Sequence, residues 1–237
     1  MNMTIARITA RALVGRRRFL LLLPLPLLLI GLGLLSDSLG ATAAEWVPPV
    51  VIGLGFAVVL PVMALIVGTG VLGAEIDDGT IVHILAKPLP RRQIIFAKLV
   101  VATVVTSLTV GVPMLICGLL AGSVRFALAL AVASVAGALA YSALFLALSV
   151  VTRRPVLLGL VYVLVWEGLL GNLLSGVRVL SIEQYAITIA DKIAPTDMLT
   201  GTVSINVAII MAVVLSVGAT ALAIDRLRSF SVAGETS

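Results

Sequence analysis

Charge is what this sequence has least of. Only 11% of its 237 residues are Asp, Glu, Lys or Arg, while 61% are hydrophobic. Soluble domains carry roughly 25% charged and about 45–50% apolar residues. A water-soluble core cannot absorb that excess, so the bilayer is the solvent that suits the chain. Aromatics are also scarce at 5%, so the apolar mass is aliphatic. A single cysteine, Cys117, excludes an internal disulfide. Placed in an apolar run, it reads as packing and not as a metal ligand or nucleophile. No His/Cys/Asp cluster has metal-ligand spacing. A G-x-x-x-x-G-K-[ST] phosphate loop is missing too, so the chain has no P-loop ATPase site. Nothing points to a catalytic residue.

What the sequence does have is a series of long aliphatic runs. A spanning helix needs about 20 mainly apolar residues. Six stretches qualify: 19–35, 50–72, 94–120, 126–151, 155–174 and 204–224. They lack the alternation of a membrane β-barrel. The expected fold is therefore an all-α membrane protein of six transmembrane helices, one domain over residues 1–237. Arg16, Arg17 and Arg18 before the first run and "ATAAE" after it imitate a secretory signal. The run exceeds the usual core of about 7–15 residues, so it is read as a span. The glycine pairs of "GLGLLS" (from Gly31) and "GLGFAV" (from Gly53) read as close helix packing, as do Ala131, Ser134, Ala138 and Ser142. Thr103, Thr106, Ser107 and Thr109 in the third run suit either lining or packing.

Basic residues set the orientation. With the N-terminus inside, every Lys and Arg except Arg125, Arg178 and Lys192 falls on the cytoplasmic side, and both termini are cytoplasmic. The sequence pI near 10.0 is thus a topology signal, and nucleic acid is not an expected partner. Near the start, Ile5, Ile8, Ala12 and Leu13 recur at helical spacing. This predicts an interfacial helix within 1–18, with Arg7, Arg11, Arg16, Arg17 and Arg18 facing anionic membrane lipids. In segment 175–203, Ser181 and Gln184 form an S-x-x-Q capping box. Ile182, Tyr185, Ala186 and Ile189 follow at i, i+3, i+4 and i+7, with Glu183, Thr188, Asp191 and Lys192 facing away and Pro195 as a stop. This predicts an amphipathic helix on the outer membrane surface.

Two polar features interrupt the apolar pattern. The first is "EIDDGTIVHILAKPLPRRQ", residues 75–93, between the second and third spans. Orientation explains its bases but not its acids, which contribute little to topology. Gly79 permits a turn. Thr80 can cap a short helix, with Glu75, Asp77 and Asp78 beside its positive end. Ile81, Val82, Ile84 and Leu85 would form that helix, which carries His83 as a contact residue and ends at Pro88. Arg91, Arg92 and Lys98 lead into the next span. Such an element suits docking into a groove of a cytoplasmic partner. The second feature is Glu167, about 12 residues and hence about 18 Å into the fifth span. An acid there faces the bundle interior, a cavity or a partner. With Asn172 it is read as a gating or structural group at a helix break beside Gly168 and Gly171. Proton carriage is the other reading.

The 75–93 segment resembles the first cytoplasmic loop of ABC-2 type transporter permeases. Glu75, Asp77, Gly79, Thr80, Leu85, Pro88, Arg91 and Lys98 match that pattern position by position. "WEGLLGNLLSGVRVLSIEQY", from Trp166 to Tyr185, resembles the fifth-span region of a bacterial subgroup. The resemblance implies an N-terminal elbow helix, six spans, and a coupling helix that docks in a cleft of an ATP-binding subunit. It further implies a permease subunit of an exporter in the bacterial inner membrane. This subunit would pair with a second copy or paralogue and with two ATPase subunits that bind ATP and Mg, itself binding no cofactor. The large extracellular domains of some relatives are absent, as is any substrate-defining motif. Two other classes are an ion-coupled secondary transporter using Glu167 and a non-transporting membrane assembly subunit. The former predicts inverted internal repeats, which the sequence does not display.

Overall fold

The computed structural model describes residue 9 and residues 22–77, 90–173 and 175–229, without the side chains of 73–77, 172, 175, 228 and 229. All regular elements among these residues are helical. Helix α1 is Pro24–Ser38 and α2 is Ala43–Val47. A π-helical stretch, Pro48–Val59, joins α2 without a break to α3, Leu60–Asp77. Then come α4, Arg91–Leu120, and α5, Val124–Val151. Helix α6, Pro155–Val161, continues as a second π-helical stretch, Tyr162–Leu170. A turn at Gly171–Leu173 and a 3₁₀ segment, Ser175–Leu180, lead to α7, Ile182–Ile193, and α8, Ile205–Ser229.

Four helical rods are long and apolar enough to cross a membrane: Ala43–Leu72, Arg91–Leu120, Val124–Val151 and Ile205–Leu227. They contain the second, third, fourth and sixth expected spans. The first and fifth correspond to shorter apolar helices, Pro24–Ser38 and Pro155–Leu170. At 15 residues α1 covers about 22 Å, less than the hydrocarbon thickness of about 30 Å. The first of these rods, Ala43–Leu72, starts earlier than its hydropathy suggests. Glu45 Oε2 accepts the Thr42 N–H at 2.8 Å, satisfying an otherwise orphaned donor at the helix start. The "ATAAE" stretch that imitates a cleavage site is this capped start.

Helix α5 is the hub, packed against α3, α4, α6, α7 and α8. Small residues let these neighbours approach. Gly137, Ser134, Ala138 and Ser142 are buried, while Ala131 is half-buried. The α4–α5 contact is closest at Gly118, where a Cβ would lie 2.3 Å from Ala127 Cα. A left-handed Gly122 (φ +82°) turns the chain between them. Ser123 Oγ then accepts the Phe126 N–H at 3.2 Å to start α5.

Only one glycine of each sequence pair serves packing. Gly33 meets Cys117, Leu120 and Trp46, and Gly55 meets Met114, whereas Gly31 has open space around it and Gly53 faces only its own helix's Pro48 carbonyl. Cys117 is fully buried, its Sγ 3.8 Å from the Leu29 carbonyl. The Thr109 hydroxyl donates to Val105 O at 2.9 Å, whereas the hydroxyl oxygens of Thr103, Thr106 and Ser107 are buried without a hydrogen-bond partner among the described residues.

Candidate functional site

Glu167 lies in the second π-helical stretch and is 5% exposed. Its Oε2 accepts a hydrogen bond from the Tyr141 hydroxyl of α5. Its Oε1 accepts the Ile182 N–H at 2.8 Å and the Glu183 N–H at 3.4 Å. The hydroxyls of Tyr162 and Ser181 each reach Oε1 at 3.3 Å. Ile182 and Glu183 open α7, so their N–H groups belong to the orphaned donors of a helix N-terminus. Glu167 therefore caps α7 from another helix, its carboxyl oxygen accepting the N–H groups at the positive end of the helix dipole. Ser181 shares the task, its Oγ accepting the Gln184 N–H at 3.4 Å.

Backbone geometry explains one of these partners. Tyr162 and Glu167 are five residues apart, which in an α-helix is a rotation of about 140° and puts them on different faces. Hydrogen bonds of the i→i−5 type, as from Gly171 N–H to Trp166 O, widen the helix so that positions five apart stack. The π-helical stretch thus brings Tyr162 to the carboxylate.

The C-terminal end of α7 is held as well. Arg125, in the first turn of α5, donates from Nε to Ile193 O at 2.7 Å. A cation on the last carbonyl of a helix complements its dipole. Between the two clamps, a Cβ on Gly137 would lie 3.5 Å from Ala186 Cβ. Tyr141 lies about 15 Å from the Val151 end of α5, and Glu167 about 18 Å from the Pro155 start of α6. These levels agree. Helix α7 therefore rises beside the N-terminal half of α5, from mid-bundle to its Arg125 end.

The helix expected on the outer membrane surface is thus present as α7 and packs on α5 and α8. The amphipathic pattern marked one buried face, but Ile187 and Thr188 are buried too, because α5 and α8 both pack on α7. The capping box is also only half formed. The Gln184 side-chain oxygen accepts the Thr202 hydroxyl at 2.8 Å, tying the following loop to α7. Asp191 Oδ2 accepts the Gly201 N–H at 3.2 Å in the same loop. Arg178 Nε donates to Gly171 O at 3.1 Å, closing the end of the preceding helix.

The expected docking residues are placed only in part. Glu75 and Asp77 lie in the last turn of α3, their side chains outside the described residues. Asp78, Gly79, Thr80, His83, Leu85 and Pro88 lie outside the described residues, as do Arg7, Arg11, Arg16, Arg17 and Arg18. Asn172 has a described helical backbone but no described side chain. Arg91 and Arg92 open α4 after Pro90. Lys98 is 0% exposed and donates from Nζ to Val71 O at 2.5 Å, linking the last turns of α3 to the first turns of α4. Among the described residues, no group of three His, Cys, Asp or Glu could hold a metal ion.

Tyr141, Tyr162 and Arg125 are the site residues that sequence reasoning did not single out. A lone tyrosine in an aliphatic span was the available signal, since a buried phenol needs a partner.

Long apolar helices around a shared central helix, with charges confined to capping contacts and helix ends, define a multi-pass membrane protein. More specifically, the chain belongs to the family of ABC-2 family transporter proteins, whose family model matches residues 16–170. It is thereby an ABC transporter permease of the kind that forms the non-catalytic membrane subunit and associates with ABC ATPase subunits. The match includes the 75–93 segment and Glu167 and ends before α7. No curated protein matches the chain.

Proposed function

We propose that the chain is one permease subunit of an ABC exporter in the bacterial inner membrane. In this arrangement it crosses six times with both termini in the cytoplasm, the short α1 and α6 completing the set. It forms the pathway with a second copy or a paralogue, and two ATPase subunits bind ATP and Mg. Segment 75–93 is the coupling element. Glu75, Asp77, Asp78, Gly79, Thr80, His83, Leu85, Pro88, Arg91 and Arg92 shape or line the docked surface. Lys98 acts from beneath it, as its enclosed bond to Val71 suggests.

The observation that carries this reading is the family match across the loop that joins α3 to α4. A docked loop transmits force only if its two flanking helices move together, and the Lys98–Val71 bond supports that coupling. The ion-coupled alternative is less well supported. A carboxylate 5% exposed and receiving five donors is committed to holding α7 and is poorly placed to exchange a proton with solvent. The test is purification of the chain from its native membrane in mild detergent. A stoichiometric ATP-binding subunit that hydrolyses ATP is expected. A chain that purifies folded and alone under conditions that preserve other membrane complexes contradicts the proposal.

A further inference from the structure

Two apolar grooves lie side by side on the outer face of α5. One is about 320 Å³, between α5 and α6, and includes Leu158, Val165 and Trp166. The other is also about 320 Å³, between α5 and α8, and includes Val214, Gly218 and Leu222. Leu144 and Leu148 belong to both and form the ridge that separates them. From Leu144 to Val151, which lines the second groove alone, α5 runs about 10 Å, within one leaflet of a hydrocarbon core about 30 Å thick. Immediately past the end of α5 are Arg153 and Arg154, both exposed.

Two parallel apolar channels of equal volume, one leaflet deep, with paired cations at their shared end, have the shape and charge of one molecular class. We propose that the grooves seat the two acyl chains of an anionic diacyl phospholipid astride the Leu144–Leu148 ridge. Its phosphate meets Arg153 and Arg154. A single helix of another chain would fill one groove and leave the arginines unmatched. A zwitterionic lipid would fill both grooves but offer the arginines no net charge. The proposal needs no ATPase partner, so its failure and that of the proposed function are separable.

The test uses the full chain in nanodiscs of mixed phosphatidylglycerol and phosphatidylcholine, followed by native mass spectrometry of the retained lipid. Preferential retention of one phosphatidylglycerol per chain is expected. Arg153→Gln and Arg154→Gln should each weaken that preference about fivefold, the contribution of one basic residue near an anionic surface. Gly218→Leu should reduce retention of either lipid. A Cβ there meets nothing within 4 Å, so this change fills the groove without disturbing the fold. Leu128→Trp, at the far end of α5 and 53% exposed, should change nothing. Equal retention of both lipids, unaffected by the arginine changes, overturns the proposal. So does a disulfide between copies of a Val214→Cys chain in the bilayer, because it would assign the groove to a neighbouring protein. The native Cys117 is buried and does not confuse that readout.

Discussion

Glu167 shows how one polar atom group can organise an apolar protein. Taking a carboxylate out of water is unfavourable unless its acceptor capacity is filled. Here two tyrosines, a serine and two backbone N–H groups fill it. Glu167→Gln keeps the shape and an oxygen that accepts the α7 N–H groups, but its N–H₂ is satisfied only if the Tyr141 hydroxyl turns from donor to acceptor. One intramolecular hydrogen bond is worth about 0.5–1.5 kcal/mol, so a loss of no more than that order is expected in denaturant unfolding of the solubilised chain. Glu167→Leu should cost more, because the Ile182 and Glu183 N–H groups would be buried unpaired. Transport per folded molecule should survive Glu167→Gln. Normal stability with lost transport would instead assign Glu167 to the pathway. The acid itself is legible in the sequence, since it alone interrupts an aliphatic span. Its partners are not: Tyr141 is distant in sequence, and Tyr162 falls on another face under the α-helical period.

At the scale of elements, α7 and the α4–α5 hairpin make the sharpest predictions. Arg125→Gln should free the Ile193 carbonyl and destabilise the α7 end by about 1 kcal/mol, seen as faster amide exchange in its last turn. Gly118→Val should be far more damaging. Its Cβ would overlap the Ala127 backbone, which cannot rotate away, so α4 and α5 must separate. A loss of about 2 kcal/mol or more is expected in thermal unfolding. Gly31→Ala, with open space around it, is the control and should lose nothing. The boundaries of α7 are legible, because Ser181 and Pro195 punctuate them. Its position is not, because an amphipathic pattern reports that a face is buried without saying against what. Four of the six expected spans were readable from length and hydropathy alone, while the first and fifth meet shorter helices. The two π-helical stretches were not, since no periodicity in an aliphatic run distinguishes i→i−4 from i→i−5 hydrogen bonding.

Across the whole molecule, the described residues form a helical scaffold in which three charged side chains join elements. Glu167 and Arg125 fix α7, and Lys98 joins α3 to α4 beneath the 75–93 segment. Lys98→Met should loosen that joint and lower stability, since Val71 O would lose the donor that reaches it from α4. A change in the loop acids should instead leave the fold intact and remove only the partner. The proposed role of the polar segment, docking an ATPase subunit, rests on that distinction. The direct measurement is co-purification of the ATP-binding subunit with the Glu75→Arg and Gly79→Pro chains, alongside their unfolding temperatures. Unchanged unfolding with loss of the ATPase subunit is predicted. An intact, ATP-hydrolysing complex carrying both substitutions would contradict it.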